Sequence, residues 1–218
     1  MASQVAVLFD LDGTLTDSKA GILGSLRKTL TELRIAYDGP LEYFIGPPVE
    51  EWAVELLPDA GESARRRLAA TYRAHYDREG WTQNSVYPGI MELLSGLREQ
   101  GAALYVCTSK QERFARRIVT RFGMDQYFQG IYGDQPDLDH SKTALLARLL
   151  QQEKLPANCA SMVGDRCFDI AAAHANGLRA VGVTWGYGSV EELTQAGAEV
   201  LCSTPNDVLS AVLAGQQA

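Results

Sequence analysis

Asp10 and Asp12 stand two residues apart in the run Asp10-Leu11-Asp12-Gly13-Thr14, and Asp165 and Asp169 stand four apart behind Gly164. Carboxylates two apart on an extended backbone point the same way. Gly13 permits a sharp turn straight after the first pair. If a helix begins near Arg166, Asp169 lies one turn along and faces back toward the end of the preceding strand. Carboxylates gathered at one place repel each other unless something cationic lies between them. Three or four of them beside a lysine suit a hard cation with oxygen ligands, and Mg²⁺ is the first choice. Thr108-Ser109-Lys110 form a further small polar run.

These residues share one kind of position. Val5–Phe9 reads as a buried strand that ends at Asp10, 103–107 as one that ends at Thr108, and 160–163 as one that ends at Gly164-Asp165. Shorter apolar runs at 130–132, 179–183 and 198–202 complete a set of five or six strands. Amphipathic patterns near 89–100, 111–122, 141–153, 167–176 and 206–214 separate them. Strands alternating with helices predict an α/β fold, a Rossmann-like parallel sheet covered on both faces. Ligands of such sheets bind outside the carboxyl ends of the strands, which is where the aspartates fall.

One stretch departs from the alternation. Residues 16–82 carry helical patterns near 18–34, 49–57 and 62–79 and no convincing strand, with Pro47-Pro48 and Pro58 as breaks. They read as an inserted α-helical subdomain, leaving 1–15 and 83–218 as the catalytic core. Tyr87-Pro88-Gly89 marks the return to the core, with Pro88 placed to start the next helix.

Of the 218 residues, 46% are hydrophobic and 22% charged, and the net charge is -7. This is the composition of an ordinary globular protein with a sizeable core. An acidic surface argues against nucleic acid as a partner, while local cations or a metal can still bind a small phosphorylated metabolite. No apolar run reaches the length of a membrane span, and the N-terminal stretch lacks a basic region and a long apolar run. The four cysteines show no CxxC spacing, and Cys107, Cys159 and Cys202 read as reduced and packed. A cytoplasmic location and a monomer or homodimer are the expectations.

Together the motifs resemble the haloacid dehalogenase superfamily, in its phosphoglycolate phosphatase-like branch, over essentially the whole chain. Asp10-Leu11-Asp12-Gly13-Thr14 is similar to the first motif, Thr108 to the second, Lys142 to the third, and Gly164-Asp165…Asp169 to the fourth. The helical insert resembles that family's C1 cap, and Trp185-Gly186-Tyr187-Gly188 resembles the tail of the branch. The resemblance implies a phosphatase acting on small phosphate monoesters, such as phosphoglycolate or a 5′-nucleotide, through an aspartyl-phosphate. Asp10 would be the nucleophile and Asp12 the general acid and base. Thr108, Ser109 and Lys142 would hold the phosphoryl group. Asp10, the backbone carbonyl of Asp12, and Asp165 would bind Mg²⁺, with Asp169 orienting the set. Gly46 and Pro47, in the loop Phe44–Pro48, would meet the substrate, and Tyr43 and Trp81 would line the entrance. A phosphomutase of the same family, or a non-catalytic phosphate-binding module, are the competing readings. Dehalogenase relatives lack the second aspartate, which is present here as Asp12.

Overall fold

The computed structural model describes residues 4–135 and 138–214. Residues 1–3 and 215–218, assigned to the core from sequence, lie outside that range. The elements run in the order β1 (Ala6–Phe9), β2 (Thr16–Asp17), α1 (Lys19–Leu33), α2 (Val49–Leu56), α3 (Glu62–Arg78), β3 (Ser85–Val86), α4 (Ile90–Glu99), β4 (Ala103–Gln111) and α5 (Glu112–Arg121). They continue with β5 (Gly130–Asp134), α6 (Lys142–Glu153), β6 (Ala160–Gly164), α7 (Cys167–Ala175), β7 (Arg179–Val183), α8 (Val190–Gln195), β8 (Val200–Cys202) and α9 (Pro205–Ala214).

Six strands form one parallel sheet in the order β5-β4-β1-β6-β7-β8. The apolar strand runs make this possible, because β1 is buried on both faces and has no polar side to give to water. Val7 and Phe9 face one layer, built on Ile90, Leu94, Ile118 and Val208 of α4, α5 and α9. Ala6 and Leu8 face the other, built on Leu146, Leu149, Ile170 and Leu193 of α6, α7 and α8. With β4 on one side of β1 and β6 on the other, connections leave in opposite directions and open a crevice at the carboxyl ends. Asp10, Thr108 and Asp165 all lie there.

A third cluster belongs to α1, α2 and α3, around Leu26, Trp52, Leu68 and Tyr76. Its aromatic rings run in a chain, with Trp52 and Tyr72 at 4.8 Å, Tyr72 and Tyr76 at 5.8 Å, and Tyr76 and Phe114 of α5 at 5.1 Å. The last pair docks the helices onto the sheet's own layer. Edge-to-face aromatic pairs of this kind favour one relative orientation over others.

The structure departs from the sequence reading in five places. The stretch 16–82 does contain strand: Thr16–Asp17 pairs antiparallel with Ser85–Val86 as a small ribbon. Pro88 does not start α4; Gly89 caps it with φ +84, a left-handed backbone suited to glycine. β4 runs on to Gln111, through a register shift between Thr108 and Gln111 that re-aims Ser109 and Lys110. Helix α8 has too short a periodic run to stand out in the sequence. Cys159 is only half-buried, although all four cysteines are free.

Leu146 is fully buried one turn from Lys142 on α6. Leu146→Ala is expected to lower stability by about 2–5 kcal/mol, read from the urea midpoint. A midpoint equal to that of the parent would contradict this account of the core.

Candidate active site

The carboxyl ends of β1, β4 and β6 deliver the polar groups. Asp10 follows β1 directly, and its backbone N–H donates to the Val163 carbonyl at 2.9 Å, which continues the ladder into the site. Gly13 turns the chain away at φ +89, and a Cβ there would overlap the Asp165 carboxylate. The two aspartate motifs therefore touch across the crevice. The Thr14 hydroxyl reinforces this contact by donating to Asp165 Oδ1 at 3.1 Å.

Helix α7 fixes the Asp165–Asp169 motif. Arg166 is its N-cap, and Asp169 Oδ2 accepts from the Arg166 backbone N–H at 3.0 Å, so Asp169 is turned back toward the strand end. Gly164 is required because a Cβ would run into the Asp169 side chain. Lys142 opens α6 behind the N-cap Ser141, where a cation opposes the helix dipole. Its compensation is an ion pair with Asp10 Oδ1 at 2.7 Å and another with Asp169 Oδ1.

Asp10, Asp165 and Asp169 each offer a carboxylate oxygen, and these lie within 4.8 Å of one another. All three side chains are buried. Burial pushes the Asp10 carboxyl up to about 6 against the pull of Lys142, with Asp169 and Asp12 repelling its charged form. Burial also holds Asp165 well above the ordinary carboxylate range, and the facing Asp169 and Asp10 add to it. Lys142 is itself opposed by burial, but Asp10 and Asp169 outweigh this and keep it charged. Three carboxylates thus share one ammonium. The uncompensated charge and the all-oxygen donor set fit a hard divalent cation such as Mg²⁺.

Asp12 stands apart from that trio. Its Oδ2 is paired with Lys110 Nζ at 2.8 Å, and its Oδ1 is buried with no hydrogen-bond partner among the described residues. Lys110 Nζ also donates to the Tyr76 hydroxyl of α3 at 2.8 Å and sits 4.3 Å from that ring. One ammonium therefore ties the helical segment to the Asp12 carboxylate.

Asp10 and Asp12 open onto a chamber of ≈ 60 Å³ walled also by Thr108, Ser109, Gly46 and Pro47. Of the residues assigned to the site from sequence, Asp10, Asp12, Thr108, Ser109, Gly46 and Pro47 lie in the chamber wall, and Lys142, Asp165 and Asp169 lie in the cluster behind it. Phe44 and Ile45 do not, because both are buried in the core of the helical segment. Tyr43 is 56% exposed and packs on Phe44, and Trp81 lies under the Arg117 guanidinium; neither lines the chamber. His140 pairs with Asp134 of the chamber wall but does not itself line the chamber.

Further contributors come from outside the four motifs. The Tyr187 backbone N–H donates to Asp165 Oδ2 at 2.8 Å, and the Trp185 indole N–H to the Thr14 carbonyl at 3.0 Å. The Tyr187 hydroxyl meets Asp17 and the Ser18 backbone N–H, so the Trp185–Gly188 segment braces both motifs. Arg166 is held by Glu192 of α8 at 2.8 Å and donates to the Ile45 carbonyl beside Gly46. It acts as a strut between α7 and the 44–48 loop. Nothing in the spacing of Glu192 marks it for this contact, and the short α8 hides it further.

Known proteins place this geometry. A family model described as haloacid dehalogenase-like hydrolase matches residues 7–183. The chain is 41% identical over 198 residues to a Mycobacterium tuberculosis protein named tyrosine-protein kinase PtkA, covering 89% of this chain and 67% of that one. It is 41% identical over 193 residues to a Pseudomonas aeruginosa protein named 5′-nucleotidase, covering 86% of each. Among solved structures, "a predicted phosphatase" from Clostridium acetobutylicum superposes with a TM-score of 0.91 at 34% identity, over 97% of this chain and 99% of that one. No helix among the described residues is long and apolar enough to cross a membrane. The match over most of the chain, with the motifs converging at one sheet edge, shows that this protein belongs to the haloacid dehalogenase-like hydrolase family.

Proposed function

We propose that the chain is a Mg²⁺-dependent phosphatase that hydrolyses small phosphate monoesters through an aspartyl-phosphate on Asp10. The observation that carries this reading is the chamber, where Asp10 and Asp12 open side by side against Thr108 and Ser109, with Lys142 on Asp10. The Asp10 carboxylate attacks phosphorus, and the bond from phosphorus to the leaving oxygen breaks. Asp12, one oxygen held by Lys110 and the other free, gives that oxygen a proton. It then takes a proton from the water that opens the aspartyl-phosphate. Thr108, backbone amides near Ser109, and Lys142 hold the phosphoryl oxygens. Asp10, the Asp12 carbonyl and Asp165 would bind Mg²⁺, kept in place by Asp169, and the ion would neutralise charge on the phosphoryl group and the carboxylates. The helical segment 16–82 acts as a cap that excludes water through the Gly46–Pro47 loop.

A transferase reading has one observation in its favour, the kinase name of a relative with 41% identity. Asp12 beside Asp10 in the chamber favours hydrolysis, since it can activate water against an aspartyl-phosphate. Incubation with Mg²⁺, ATP and a tyrosine peptide is expected to give inorganic phosphate from small esters and no phosphopeptide.

Asp10→Asn is expected to lower kcat on p-nitrophenyl phosphate by at least ~10³-fold. An unchanged rate in a clean preparation would sink the nucleophile assignment.

The raised carboxyl of Asp10 also sets a pH dependence. The metal-free folded protein keeps a proton that the unfolded chain has already released, so this group's contribution to stability is present below pH 3.8 and lost as pH rises through about 6. Mg²⁺ binding replaces the proton. The rise in melting temperature on adding Mg²⁺ is therefore expected to be larger at about pH 7.5 than at about pH 5. Equal shifts at the two pH values would count against Asp10 as a ligand.

A further inference from the structure

Beyond the phosphoryl end, the chamber wall carries a charged pair that hydrolysis does not use. Glu50 on α2 and Arg73 on α3 form an ion pair from Arg73 Nη2 to Glu50 Oε1. Two buried atoms are left over, since Glu50 Oε2 and Arg73 Nε have no hydrogen-bond partner among the described residues. One is an acceptor and the other carries a donor hydrogen. Polar groups buried in this state are costly unless a ligand or an ordered water meets them.

Their position gives the pair its meaning. Glu50 and Arg73 line both the chamber over Asp10 and a second cleft of ≈ 610 Å³, together with Gln111 and Asp134. They stand where the two spaces meet. At 10–15 Å³ for a water centre, the inner chamber has room for roughly four to six waters, about a phosphoryl group and the first carbons of an ester. A larger leaving group that extends into the outer cleft passes Glu50, Arg73 and Asp134, which line both spaces.

Charge narrows what can sit at that point. Lys110 is already paired with Asp12, Arg73 with Glu50, and His140 with Asp134. A carboxylate or second phosphate on the leaving group would face Glu50 and Asp134 with each of these cations already engaged. A hydroxyl both donates and accepts, and two adjacent hydroxyls can meet Glu50 Oε2 and Arg73 Nε together.

We propose that Glu50 and Arg73 are specificity-determining residues that read vicinal hydroxyls on the leaving group, and that the outer cleft takes what lies beyond them. The substrate class is then a polyol phosphate or a nucleoside 5′-monophosphate, not a phosphocarboxylate. The proposal rests on the phosphatase reading of the chamber and deepens it.

Binding and turnover together test it. Calorimetry on Asp10→Asn protein with Mg²⁺ and kcat/KM on the parent enzyme are measured for n-propyl phosphate, glycerol 3-phosphate, adenosine monophosphate and 2-phosphoglycolate. At least one hydroxylated ester is expected to be preferred over propyl phosphate by about tenfold or more. Preference for both points to the shared diol, and preference for the nucleotide alone points to the outer cleft holding the base. Arg73→Met and Glu50→Ala are expected to erase the preference by raising KM and Kd for the hydroxylated esters, with propyl phosphate moved by less than about threefold. Arg73→Lys and Glu50→Gln serve where the larger changes prevent folding, and partial loss of the preference is expected there. A preference that is absent from the parent, or intact in the variants, overturns the proposal, as does 2-phosphoglycolate binding as tightly as glycerol 3-phosphate. If no ester turns over but the binding preference and its loss remain, the phosphatase reading fails and the hydroxyl-reading pair stands.

Discussion

Three buried carboxylates around one ammonium are the constraint to which the rest of this protein answers. Asp10, Asp165 and Asp169 approach within 4.8 Å while Lys142 neutralises only one charge. Left alone, like charges at that range in a poorly solvated site would push the strand ends apart. The surrounding structure prevents this by covalent placement and by short-range bonds. Parallel pairing of β1 with β6 sets the first two aspartates side by side. The α7 cap holds Asp169 back, Thr14 and the Tyr187 N–H hold Asp165, and glycines at 13 and 164 remove the side chains that would prevent contact. The protein spends rigidity to keep charge concentrated, which is what electrostatic stabilisation of a phosphoryl group demands.

The sheet and the carboxylate cluster were legible in the sequence for a shared physical reason. A parallel strand buried on both faces must be an unbroken apolar run, and its end must be marked by the first polar residues, so Val5–Phe9 before Asp10 announces both the strand and the site. Lys142 was legible only through its resemblance to the family's third motif, since a lysine in the first turn of a helix otherwise reads as exposed. The wall of the chamber was not. Glu50, Arg73 and Tyr76 sit on helices whose exposed faces are equally rich in Glu and Arg. A side chain turned to a cavity has the same local pattern there as one turned to solvent. Tyr43 and Trp81 show the converse, since aromatic residues close in sequence to a cleft pack on Phe44 and under Arg117 instead of lining the chamber. The register shift in β4 is also invisible beforehand, because it changes where Ser109 and Lys110 point without changing composition.

Contact between the helical segment and the sheet is polar at the site and aromatic beside it. Lys110 bridges Tyr76 and Asp12, Arg166 reaches the Ile45 carbonyl, and Tyr76 meets Phe114. Directional bonds lie closest to the reacting groups and apolar packing lies farther out. The bonds specify one closed arrangement of Asp12 and the Gly46 loop, while the rings supply adhesion that tolerates small shifts.

The ribbon of Thr16–Asp17 against Ser85–Val86 has a bearing on how the chain reaches this state. The central pairing of Ala6 with Ala103 joins residues about a hundred positions apart, a long loop whose closure is slow. Most of that loop is the helical segment with its own apolar centre. If α1–α3 collapse first and the ribbon zips their ends together, β1 and β4 are separated only by short flanks, and the entropy of closing the loop falls accordingly. The two-residue strands then act as a shortcut in the search for the sheet, so weakening them should slow folding more than it lowers the stability of the folded chain.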